Sequence, residues 1–169
     1  MFLNKQFNLI VIIFTCVFSN VGFSGEINDH VYNVPNRSNE FVSVRFENFK
    51  DKNKIVVSLI NKSKNTIKKA RDVIYVSEDR IMTDAFFNEE HGNISFFLLT
   101  SNSVDKSTGI KGISYNTFIY DLDDDDIYFN QIPIIKLMNC IDGNDIERNI
   151  ILNCEYKTKE KILNYLKTY

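Results

Sequence analysis

Five aspartates, Asp121, Asp123, Asp124, Asp125 and Asp126, crowd one short stretch of the chain and are the first candidates for chemistry. The alternation of Asp121, Asp123 and Asp125 is how carboxylates approach calcium. An EF-hand loop, however, needs glycine at its sixth position and glutamate at its twelfth, where Asp126 and Ile132 stand. We therefore read the stretch as a solvated hairpin turn without metal. Its concentrated negative potential suits a basic protein partner.

A basic block lies earlier in the chain. Lys50, Lys52, Lys54, Lys62, Lys64, Lys68, Lys69 and Arg71 fall within residues 50–71, with Asp51 the one acid among them. Lysines on turns and edges also discourage sheet-to-sheet aggregation, so the block has a structural reading as well. If folding set the two charged regions at opposite ends, the molecule would be bipolar and suited to steered docking.

Catalysis has little to stand on. His91 lies in a turn beside Glu89 and Glu90, and Ser95 or Ser101 reaches it only through folding, so spacing names no triad. His30 sits in an irregular stretch. The two histidines and the cysteines lack the spacing of zinc ligands. The expectation is a protein without cofactor or metal that is not an enzyme.

Cys140 and Cys154 flank the turn-forming run Asp142-Gly143-Asn144-Asp145, so chain reversal there is expected to bring the sulfurs within bridging range. A disulfide implies an oxidising compartment. Residues 1–24 supply the route: Lys5, the apolar block Leu9-Ile10-Val11-Ile12-Ile13-Phe14 and the small residues near Gly22 and Ser24 have the order of an export signal. Thr15, Ser19 and Asn20 interrupt the block, against a membrane span of roughly 20 apolar residues. Lipidation at Cys16 is disfavoured by Thr15 before it. Cleavage would remove Cys16 and leave an even cysteine pair. It would also take away one lysine and no acid, moving the net charge from −2 to −3. That balance argues against nucleic acid as a partner.

The elements that must position these residues read as a β domain over residues 25–169. Residues 25–39 are irregular, with brief pairing near Val31. Val42, Val44 and Phe46 alternate with polar residues, and Ile55-Val56-Val57-Ser58-Leu59-Ile60 returns after a polar turn as a second strand. Strands follow over residues 67–77, 81–87, 94–100, 113–122 and 127–138, with loops at residues 88–93, 101–112 and 123–126. Phe96-Phe97-Leu98-Leu99 is apolar on successive positions, which marks a central strand covered on both faces. Only the tail, residues 158–169, has helical spacing, with Ile162, Tyr165, Leu166 and Tyr169 on one face and Thr158 as N-cap.

The fold class expected is mainly β, an antiparallel sandwich or small barrel with one C-terminal helix; the alternative is a single curved sheet packed on that helix. The function expected is that of a periplasmic or secreted inhibitor or immunity protein, which neutralises a toxin or cell-wall-degrading enzyme through the loops at residues 88–93, 101–112 and 121–126. Two alternatives are a carrier of an apolar ligand and a subunit of a surface appendage or adhesin.

Overall fold

A computed structural model describes residues 30–49, 52–70, 74–104, 109–130 and 139–168. The export signal at residues 1–24, Pro133 with residues 131–138, and Tyr169 lie outside these.

Two antiparallel sheets form the molecule. The first has β1 (His30–Asn33), β2 (Glu40–Phe49) and β3 (Lys52–Asn61) in that order, with β4 (Thr66–Lys69) and β5 (Ile74–Val76) in tandem along the far edge of β3. The second has β6 (Ile81–Glu90), β7 (Asn93–Val104) and β8 (Ile110–Leu122) in order. Its far edge is again split, between β9 (Ile127–Phe129) on one half of β8 and β10 (Cys140–Asp145) on the other, and β11 (Ile150–Leu152) pairs with β10.

Alternation decides the layers. Val42, Val44, Ile55, Val57 and Leu59 of the first sheet meet Ile94, Phe96, Leu98, Tyr120, Leu122 and Ile127 of the second in one core. On the other side of the second sheet, Phe86, Phe97, Leu99 and Ile119 pack against Ile162 of the helix α1 (Lys159–Leu166). Thus β7 is covered on both faces, as its run of apolar residues requires. The sandwich is the observed architecture, and the helix lies on the outer face of one sheet.

The helix starts where its cap dictates: the Thr158 side chain accepts from the Lys161 N–H, and the extended backbone of Thr158 ends the preceding loop. An eight-residue helix has no stability of its own in water, so Ile162, fully buried, is what holds it.

Several turns differ from expectation. Asp142-Gly143-Asn144-Asp145 is strand, not turn; the reversal falls at residues 146–149, where Asn149 has φ 52°. Gly143 serves close approach, not reversal. It sits opposite Gly112 on β8, and a β-carbon on Gly112 would lie 2.3 Å from the Asp142 carbonyl oxygen. The loop at residues 88–93 shrinks to His91-Gly92, both with positive φ, a tight turn whose twist suits a hairpin. Most of the loop expected at residues 101–112 is instead the paired ends of β7 and β8. The strand expected over residues 67–77 is divided between β4 and β5.

Cys140 and Cys154 form a disulfide, with Cα atoms 5.2 Å apart, across the open end of the β10–β11 hairpin. Opening it should release a closed loop of about 15 residues, worth on the order of 3 kcal/mol. Reduction, or the double change Cys140→Ser and Cys154→Ser, is expected to lower the melting temperature by about 10 °C. Gly112→Ala should cost about 1–3 kcal/mol in denaturant unfolding, because the opposing contact is backbone and cannot swing away. An unchanged midpoint would mean that β8 and β10 do not pair in this register.

Candidate functional site

Antiparallel pairing carries four connections to one end of the sandwich: residues 34–39 between β1 and β2, residues 62–65 between β3 and β4, His91-Gly92, and residues 123–126 between β8 and β9. Two of the three loops expected to make contacts, at residues 88–93 and 121–126, therefore stand together. The described part of the third, residues 101–104 and 109–112, lies at the other end, because β7 leads away from His91-Gly92.

The aspartates have separate roles. The Asp123 N–H donates to the Asp126 carbonyl at 3.1 Å, closing the turn, and an Asp126 carboxylate oxygen accepts from the Ile127 N–H at 3.0 Å. Asp125 pairs with Lys64 of the first sheet. Asp123 and Asp124 are exposed, and among the described residues no ion pair engages their carboxylates. Asp121 belongs to β8 rather than to the turn: its carboxylate accepts from the Ser95 hydroxyl at 2.6 Å and from the Asn130 amide.

A polar network from the first sheet sets the position of the acidic turn. Glu40, buried, accepts from Arg37 at 3.1 Å and from the Asn61 amide at 2.9 Å. Arg37 also donates to the Asp123 carbonyl at 2.7 Å. The Asn61 side-chain oxygen accepts from the Ser63 hydroxyl at 2.8 Å and the Lys64 N–H at 2.9 Å, an Asx-type turn that aims Lys64 at Asp125. Nearby, the Asn36 amide donates to Glu89 at 2.9 Å, tying the first sheet to the β6–β7 hairpin.

Part of the basic block thus faces the acidic turn, and the bipolar arrangement is not adopted. Arg37, Lys68 and residues 123–126 line a common cleft of about 490 Å³. The Lys64 hydrogen bond, reinforced by its charge and by Lys68 and Arg37, holds the Asp125 carboxyl below the usual range. The same bond raises the Lys64 ammonium. Both side chains are open to solvent, so the pair orients the turn more than it stabilises the fold.

A second cleft, about 380 Å³, opens on the outer face of the second sheet and is lined by Asn88, His91, Asn93, Ser95, Asp121, Tyr128 and Asn130 among others. The ladder explains the grouping: Asn88 is opposite Ser95, Ser95 opposite Asp121, and Asp121 opposite Tyr128, one row across four strands. Burial raises the Tyr128 phenol, with Asp123 and Asp121 adding to the effect. Ser95 donates to Asp121, not to a histidine, and His91 Nε2 lies 3.9 Å from Glu90, so among the described residues Ser95 and His91 are not in relay with each other. His30 is exposed on β1. Among the described residues, no group of three or more His, Cys, Asp or Glu side chains could hold a metal ion.

Sequence reading passed over Arg37, Tyr128 and Asn130, which become neighbours of the aspartates through pairing. It also passed over Arg80, whose guanidinium donates to Thr100 at 3.0 Å and to Asn102 and Asn116. Arg80 lies just before β6, beside the inward-facing polar residues at the far end of β7 and β8; burial lowers its pKa. No local pattern in the sequence announces that role.

The Lys64 pair has a titration signature. Because the folded pKa of Asp125 lies below its unfolded value, the pair's contribution is present above about pH 3.9 and is lost as pH falls through the lower folded value. Lys64→Ala should return the Asp125 carboxyl, followed by NMR, towards about 3.9. A titration curve that does not move would remove Lys64 as the cause.

Compared with protein-family models, with curated proteins and with solved structures, the chain matches none.

Proposed function

We propose that this protein is an exported binding protein, an inhibitor or immunity protein that neutralises a toxin or cell-wall-degrading enzyme by offering its acidic end to a basic surface. The observation that carries the reading is the pairing of two rigid hairpin tips: Asp123 and Asp124 from one, Glu89 and Glu90 from the other, exposed beside a common cleft system. Exposed carboxylates on a preorganised frame steer a cationic partner and need little ordering on binding. The end has room for part of an interface of about 1,600 Å². Export is supported by the Cys140–Cys154 disulfide and by the order of residues 1–24. Among the described residues no helix is long and apolar enough to cross a membrane.

Neither alternative gains comparable support. The layer between the sheets is filled by Val, Ile, Leu, Phe and Tyr side chains, and the two largest clefts described above are lined mostly by polar groups, which suits an apolar cargo poorly. The strand β6 is long and lies at a sheet edge, as strand addition in an appendage would need, but a bulge between Met82 and Asp84 breaks its register.

The test uses Asp123→Asn with Asp124→Asn, which spares the Asp125 and Asp126 contacts. Immobilised protein should retain a basic toxin or hydrolase from periplasmic extract or from competing strains, and the bound protein's activity should fall. The double variant should bind at least about tenfold more weakly, with a flatter salt dependence. Equal retention by the variant, or no retained basic protein from either source, would exclude this reading.

A further inference from the structure

We propose that the outer face of the second sheet, past the end of α1, is a binding site for a neutral saccharide, with Asn88, Ser95, Asp121, Tyr128 and Asn130 as its floor. The face changes chemistry along the strand direction. Under α1 the row is Phe86, Phe97 and Ile119, all buried against Ile162. Two residues further along each strand it becomes Asn88, Ser95 and Asp121, continued by Tyr128 of β9. The helix does not cover this second row. Leu163, Leu166 and Lys167 instead border it from one side, in a cleft of about 260 Å³ shared with Asn88, Glu89 and Glu90.

Each group suits a polyol. A carboxylate offers about four lone-pair directions, and the bonds from Ser95 and Asn130 fix the orientation of Asp121 while leaving others for sugar hydroxyls. Asn88 and Asn93 present amides that donate and accept, and among the described residues no hydrogen bond engages their side chains. Tyr128, 44% exposed at the end of the row, offers a ring face for the apolar side of a pyranose. Its phenol stays neutral over the physiological range and so can donate. Phosphate and other anions would be repelled by Asp121, Asp123 and Glu90, which line the same cleft. A metal ion would lack a set of three protein carboxylate, cysteine or histidine ligands among the described residues. Asn88, Ser95, Asp121 and Tyr128 stand on strands, and Asn130, just past β9, is held by its N–H donating to the Ile119 carbonyl at 2.8 Å, which fixes spacing between donors and acceptors.

This inference does not rest on the acidic end as a protein docking surface, since Asn88, Ser95, Tyr128 and Asn130 take no part in it. The experiment titrates the intact protein with chitotriose, cellotriose, maltotriose and, as a cationic control, spermidine, read by calorimetry and by saturation-transfer NMR. At least one trisaccharide should bind saturably, and Tyr128→Ala, an exposed position, should weaken it about tenfold or more without lowering the melting temperature. Asp121→Asn should also weaken it; should that variant unfold, Asn88→Ala carries the same test. Asp124→Asn alone, at a residue that does not line this cleft, should bind the sugar as the parent does while weakening retention of a basic protein partner. Absence of saturable trisaccharide binding up to about 10 mM, retention of full affinity in Tyr128→Ala, or saturable binding of spermidine alone would overturn the proposal.

Discussion

The strand β7 is apolar on both faces, and the arrangement of the other elements follows from burying both. Phe96 and Leu98 point into the layer shared with the first sheet, while Phe97 and Leu99 point the other way, under α1. Burial of such side chains contributes about 1.5–3 kcal/mol each, so neither face can be left to water cheaply. The first sheet must lie on one side and the helix on the other. An isolated helix of this length would not form; its apolar face and the outer face of β7 complete each other.

Once the two sheets are stacked, their turns meet at a common end, and the distribution of charge there is a consequence of stacking. Carboxylates concentrated on one turn repel one another. The first sheet answers with Arg37, placed by buried Glu40, with Lys64, placed by the Asn61 turn, and with Lys68 of β4. Exposed ion pairs contribute little to stability. Buried Glu40 is different: with its hydrogen bonds to Arg37 and Asn61 removed, its carboxylate would be buried without compensation. What the network supplies is orientation, so that Asp123 and Asp124 face outward beside Glu89 and Glu90.

The molecule therefore carries two adjacent surfaces of different make. One is a rim of turns, charged and suited to a protein of opposite sign. The other is a floor of strands, where a row that is apolar beneath α1 becomes Asn88, Ser95, Asp121 and Tyr128 beyond it. The inner ladder also turns polar, at Thr100, Asn102 and Asn116, but there Arg80 meets the side chains and leaves them occupied. Among the described residues, no comparable side chain closes the outer row.

Much of the scaffold is legible in the chain itself, because short-range rules govern it. Alternation at Val42, Val44 and Phe46 gives the inner face of β2, the run at residues 96–99 marks the strand covered on both sides, and Thr158 with Ile162 places the helix. Cys140 and Cys154 are paired as their number and setting suggest. Where local rules fail, polar and glycine residues do work that depends on distant neighbours. Gly143 reads as a turn but is there because Gly112 lies against it, and the Ser- and Asn-rich end of β7 pairs with β8 although nothing in its composition asks for a strand. Asp121 stands at the end of the strand expected over residues 113–122, and that strand turns it to a cleft that Asp124, Asp125 and Asp126 do not line. The identity of strands such as β2, β3 and the apolar part of β7 was written locally, in their period and apolar content. The rows across strands, and with them the neighbours of every candidate site residue, were decided by register and sheet stacking, which depend on contacts between segments far apart in the chain.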